Sequence, residues 1–209
     1  LDRYPTEFAE LRLNPRVLLS LAGPAFRGYF LQRGKAGSTV HLPAAHETAF
    51  RLDYLSELPE LRRLYETATR SQWNGGTDLD WQTEVDPLSD EKVLIQDDLL
   101  FLSDIPQFHQ LPKRLRREHR YGLFAWVMSQ FLHGEQGALF AACQITESIE
   151  WTDGKLFGAT QVMDEARHVE VFQRYLAEKI EKTYQITDNL YVILDALLRD
   201  KAWDLKFLG

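Results

Sequence analysis

The sequence predicts an all-α chain, and three observations carry that prediction. Apolar residues recur at spacings of three and four through nearly everything after residue 85, which is the period of one face of a helix. The apolar–polar alternation of a half-buried strand is absent. Turn-forming residues gather in two connectors, RGKAGSTVHLPA at 33–44 and WNGGTDLDWQTEVDPLSD at 73–90.

Taken in order, two helical spans are expected before the long loop, over 5–32 and 45–71, kinked or interrupted at Pro15, Pro24 and Pro59. In the loop, Asn74-Gly75-Gly76 marks a turn. Trp73 and Trp81 are expected to pack this loop onto the helices while Asp78 and Asp80 cap turns; the alternative is a lid over a site. Ser89 suits the N-cap of a helix over 90–103, with Asp90 and Glu91 in its first turn. A long helix over 112–149 follows, then one over 154–181, and a last one from 188 to the end. Residues 1–90 therefore read as an N-terminal helical region with a long loop, and 91–209 as the first part of a helix bundle.

The chain has 209 residues, 44 % of them hydrophobic, enough for one domain with a sizeable core. A net charge of −7 gives no electrostatic ground for a nucleic-acid partner. No apolar run approaches the roughly 18–20 residues of a membrane span, so no membrane partner is expected. The lone Cys143 excludes an intramolecular disulfide, suits a cytoplasmic protein, and reads as a small buried hydrophobe. The basic run KRLRREHR at 113–120, His119 included, reads as a solvated helix face rather than a docking site. His133, close to Glu135, reads as a packing group or as a support behind a ligand, and His41, His46 and His109 lack ligand spacing.

The informative positions interrupt two apolar stripes. Around Glu135, one face carries Phe124, Val127, Met128, Phe131 and Leu132, then Ala138, Leu139 and Ala142. In the next helix, Phe157, Gln161 and Val162 lead to Glu165 and His168, then Val169, Phe172 and Leu176. Glu135, Glu165 and His168 are therefore expected to point inward. Ionised carboxylates there need either buried cations or a metal, and the Lys and Arg residues lie mostly off these stripes. With a turn near 150–154, the two glutamates fall within about 3 Å of the same axial level. Residues i and i+3 share a helix face, so Glu165 and His168 reach one point. The three are expected to converge there, buried between two antiparallel helices.

These residues also carry a resemblance. HGEQGAL at 133–139, followed by QVMDEARHVEVF at 161–172, resembles the ferritin-like di-iron carboxylate proteins. Within them it is similar to the oxygen-activating branch of ribonucleotide reductase small subunits and bacterial multicomponent monooxygenases. The resemblance implies a four-helix bundle in which two helices each give a Glu and two others each give Glu-x-x-His. It makes Glu135 the lone carboxylate, Glu165 the bridging carboxylate and His168 the terminal imidazole. Asp164 resembles the carboxylate that orients a ligating His, with Arg167 pairing beside it. The implied cofactor is two iron ions, with manganese possible. The implied activity is an oxygenase or oxidase acting with O2 on a small organic substrate, supplied by an electron donor. Phe172 stands where the reductase branch places its radical tyrosine. Only the first half-site is present, and a second Glu-x-x-His is absent, so the chain is expected to be a fragment, inactive alone. A homodimer sharing one centre is the less favoured way to complete it. Two other readings stand beside the oxidoreductase: a non-catalytic ferritin-like metal-storage protein, and a metal-free structural bundle in which the three side chains satisfy one another.

Overall fold

In the computed structural model, residues 20, 22–34, 46–89, 91–96 and 105–208 are described, and the regular elements among them are all helical. The predicted helical residues 5–19, most of the connector at 33–44 with His41, and residues 97–104 lie outside the described residues. Residues 22–25 are helical and run into a π-type turn, Phe26–Phe30. We number the helices that follow α1 (Pro59–Arg70), α2 (Pro106–His109), α3 (Lys113–Ser148), α4 (Thr152–Tyr175), α5 (Asp188–Arg199) and α6 (Trp203–Leu208). Among the described residues no helix is long and apolar enough to cross a membrane.

The two longest periodic stretches of sequence form the central antiparallel hairpin. α3 has 36 residues, so it is about 54 Å long. A connection of three residues, 149–151, reverses the chain into α4. The turn thus lies slightly earlier than the sequence suggests, and Ile149, 6 % exposed, fills its inner side. The helices pack closely near this end. A Cβ on Gly158 would stand 2.5 Å from the Thr146 hydroxyl oxygen and 3.6 Å from the Thr146 Cα. α4 continues as a π-type turn, Leu176–Ile180, which ends at Glu181 in the left-handed region (φ 53°).

At the far end of the hairpin, Ala125, Leu176, Ile180 and Tyr184 are buried together. A satellite cluster of Phe108 and Leu123 packs beside Tyr29 and Trp126. The non-helical residues 181–187 run back along α3, and α3 side chains bond to their backbone. Tyr184 N–H donates to Ser129 Oγ at 3.0 Å, Thr187 N–H donates to Gln130 Oε1 at 2.9 Å, and Gln130 Nε2 donates to the Gln185 carbonyl at 3.0 Å. Thr187 then caps α5, its hydroxyl accepting from Leu190 N–H. The expected single helix from 188 onward is broken at 200–202, between α5 and α6.

The helix expected over 45–71 shrinks to α1, with Pro59 at its first position. A proline pushes the residue before it out of the α region, and Leu58 sits at φ −126°, ψ 75°. Asp153, at the start of α4, captures this corner: its Oδ2 accepts from Ser56 Oγ at 2.8 Å and from Leu58 N–H at 3.0 Å. Those bonds, the backbone N–H first, hold the Asp153 carboxyl below its ordinary value. A group depressed in the folded state lends stability that is complete above the unfolded value and vanishes as pH falls through the folded one. Asp153→Asn is therefore expected to lower the melting temperature at pH 7, with the gap to the unaltered protein closing below about pH 4. Thermal melts across that range check it.

The helix expected over 90–103 also fails where it can be followed. Ser89 Oγ accepts from the N–H groups of Glu91 and Lys92 at 3.1 and 3.2 Å, as a cap would, yet residues 91–96 form bends. A favourable cap satisfies local donors but does not by itself propagate a helix, and here Leu94 and Ile95 pack against the core from a non-helical segment.

Candidate metal centre

Residues 135 and 165 each stand fifteen positions from Glu150, the middle of the α3–α4 turn. That symmetry brings them to one level on facing helices, and the Glu-x-x-His spacing adds His168 from the next turn of α4. His168 Nδ1 lies 3.1 Å from Glu135 Oε2 and 3.2 Å from Glu165 Oε2. One donor atom from each residue falls within 4.8 Å of the other two, a spacing that a single ion can bridge. Among the described residues this is the one such group of His, Cys, Asp or Glu.

Burial differs from the expectation. The side chains of Glu135, Glu165 and His168 are 25 %, 22 % and 42 % exposed, so the site is half-buried rather than enclosed. The stripe around it is open on one side: Phe131 is exposed, whereas Leu176 at its other end is fully buried in the core. Partial burial still costs the carboxylates. Desolvation, and next the carboxylate of Glu135 bonded beside it, raise the Glu165 carboxyl above its ordinary value, against the pull of His168. Two carboxylates set this close together call for positive charge between them, which is the demand a metal ion meets. The donor set fits a hard divalent ion.

Asp164 and Arg167 leave the stripe on its other side. Arg167, 5 % exposed, donates to Asp164, to Gln72 Oε1 at 2.5 Å and to the Trp73 carbonyl at 3.1 Å, and its guanidinium lies 5.2 Å from the Trp73 ring centre. The pair therefore fastens the long loop to α4 one residue from His168. The rest of the loop is packed likewise. Trp81 Nε1 donates to the Gly75 carbonyl at 2.6 Å, and the Arg174 guanidinium covers the Trp81 ring at 4.2 Å. Asp78 accepts from Asn74 N–H, and Asp80 from Gln82 N–H and the Thr83 hydroxyl. The packing and capping expected of these residues are what the loop does. Nothing in the pattern DEARH names Gln72 or Trp73 as partners; the contact joins residues about 95 apart. Arg167→Met is expected to cost about 2–3 kcal/mol through lost charge-assisted hydrogen bonds. It should also expose 72–83 to proteolysis, and a peptide map of limited digestion reads this directly.

Other titratable groups fall outside the site. His119 is half-buried rather than solvated; Tyr29 Oη lies 2.9 Å from its Nδ1, and burial lowers its pKa. His133 packs as expected, with Nε2 at 3.0 Å from the Tyr184 carbonyl. His46 pairs with Glu147 at 2.6 Å. Cys143 is partly buried, and desolvation raises its thiol pKa.

Beside the site runs an apolar cleft of about 590 Å³ between α3, α4, α5 and α6. Glu165 and Gln161 form part of its wall, with Gly134 and Ala138 from α3, Phe157 from α4 and Leu194 from α5. Fold and site together define a helical chain with a Glu–Glu–His cluster at the edge of a hydrophobic cleft. Comparison with protein-family models, with characterised proteins and with solved structures yields no match.

Proposed function

We propose that this chain carries half of a non-haem di-iron centre in a ferritin-like four-helix bundle, and that the protein is an oxidoreductase using O2 to oxidise an organic substrate. The observation that carries this reading is the convergence of two carboxylates and one imidazole, from facing helices, on the wall of an apolar cleft. Glu135, Glu165 and His168 would hold the metal, Glu165 in the bridging role. Carboxylate oxygens with an imidazole nitrogen suit iron or manganese. When bound, the two irons supply electrons for the reduction of O2 and are recharged by an external donor.

The rest is the work of this chain. The α3–α4 register fixes the three donors relative to one another before any ion arrives, which lowers the entropic cost of binding. A cation at Glu165 would displace the carboxyl proton to solvent wherever that raised group is protonated, so metal uptake there would release protons. The Asp164–Arg167 pair holds the turn of α4 that bears His168 against the long loop. The apolar wall excludes water and presents a hydrophobic substrate to the carboxylate edge.

A second reading has one observation in its favour. His168 Nδ1 is within hydrogen-bond distance of both carboxylates, so a protonated imidazole could satisfy them in a metal-free structural bundle. The two readings separate on loading. After anaerobic incubation with Fe(II) and removal of unbound ion, bound iron and a raised melting temperature are expected of this chain, and O2 uptake only once the second half-site completes the centre. Absence of bound iron, with an unchanged melting temperature in the presence of Fe(II) or Mn(II), selects the metal-free bundle.

A further inference from the structure

The cleft wall contains two charged side chains, and they come from different parts of it. Glu165 belongs to the metal-site end. Eleven residues earlier on α4, Gly154 lines the other end, so the cleft extends about 16 Å along the helix. Lys206, the second charged residue, comes from α6. Trp203, one turn before it, meets Trp151 of the α3–α4 turn edge-on, with ring centres 6.2 Å apart, which places this stretch of α6 at the turn end. Lys206 is 4 % exposed. One of its three ammonium donors goes to the Asp200 carbonyl, and among the described residues it forms no ion pair. A buried ammonium on an apolar wall with one hydrogen bond is incompletely compensated: desolvation lowers its pKa, against the weaker pull of the Asp200 carboxylate. An anion in the cleft would supply what it lacks.

We propose that the cleft binds a linear long-chain carboxylate, with the carboxylate held by Lys206 at the turn end and the hydrocarbon chain running along the apolar wall toward Glu165. As the substrate of the oxidation, this molecule rests on the function proposed above; as a ligand, it rests on the cleft and Lys206 alone. The apolar wall selects for the chain, and the separation of Lys206 from Glu165 brings carbon remote from the head group to the metal-site end. A positively charged head would meet the buried ammonium unfavourably, and a neutral head would leave it uncompensated.

The probe is dodecanoate, kept below its micelle-forming concentration and titrated into the metal-free protein by calorimetry and tryptophan fluorescence. Saturable binding is expected, with dodecanol and dodecylammonium weaker by roughly ten- to a hundred-fold, the value of a charge-assisted hydrogen bond. Lys206→Met should lose the same factor for dodecanoate and leave dodecanol unaffected, whereas Lys206→Arg should retain dodecanoate. Equal affinity for dodecanoate and dodecanol, no saturable binding of dodecanoate, or unchanged dodecanoate affinity in Lys206→Met would each overturn the proposal. If Lys206→Met does not fold, the head-group comparison on the unaltered protein decides. Because binding is read without metal, a chain that binds dodecanoate but takes up no iron and shows no metal-induced rise in melting temperature retires the oxidase reading and leaves this one standing.

Discussion

Alanine in place of Glu165 is expected to abolish metal binding while leaving the helical hairpin folded. Replacing a partner behind a metal ligand already costs 10–100-fold in affinity, so loss of a carboxylate ligand is expected to cost more than about a hundred-fold. A melting experiment resolves this. At a metal concentration a hundred times its Kd, the unaltered protein gains about 2.7 kcal/mol, which at this chain length corresponds to a rise of about 5–10 °C. Glu165→Ala should show no rise. The metal-free variant should be no less stable than the unaltered protein, because its carboxyl is held above its ordinary value by desolvation and by Glu135. A group raised in the folded state favours folding while protonated, and that contribution is lost as pH climbs through the folded value. At pH 7, then, removing Glu165 removes a burden. A structural trio predicts the reverse, a destabilised Glu165→Ala with no response to metal in either protein. The same titration fixes the pH dependence of loading. Affinity should weaken as pH falls through the raised Glu165 value, beginning above the usual carboxylate range.

Leucine at Gly158 is expected to disrupt the hairpin and the site together. The new Cβ would stand 2.5 Å from the Thr146 hydroxyl oxygen and 3.4 Å from its Cβ. The hydroxyl cannot simply swing aside, since it donates to the Ala142 carbonyl at 2.7 Å. Overpacking of this kind costs about 1–3 kcal/mol, and relief requires α3 and α4 to separate two turns from Glu165. Chemical denaturation should show the loss, and the metal-induced rise in melting temperature should shrink as Glu135 and Glu165 part. Gly158→Ala with Thr146→Ala should recover most of the stability that Gly158→Ala loses alone, the positive coupling expected of touching residues.

The periodic part of the chain was legible because its helices are long. α3 and α4 fall within a few residues of the expected bounds, and the three site residues meet because an i,i+3 spacing and a short turn leave little geometric freedom. What failed depends on contacts remote in sequence. Leu58 is turned out of helix by Pro59, and Ser56 and Leu58 are held by Asp153, a residue about 95 positions away. His119 looks like one more charge in a basic run until Tyr29, 90 residues earlier, is laid against it. Lys206 carries no pattern at all; it is a single cation in WDLKFL, and its burial emerges only when α6 folds over the cleft. The exposure of the Glu–Glu–His group was misjudged for a related reason. Helical period says which face a side chain takes, whereas its accessibility depends on what covers that face.

The fifteen-residue arms on either side of Glu150 also restrict how such a chain can change over descent. One residue inserted between Glu135 and the turn rotates Glu135 by about 100° and lifts it by 1.5 Å relative to Glu165. A matching insertion in the other arm restores the level but not the facing. Lineages that keep all three donors should therefore hold the interval from Glu135 to His168 at constant length. Length variation should collect instead in the loop before α2 and in the connectors after Ile180, where no donor depends on a count of residues.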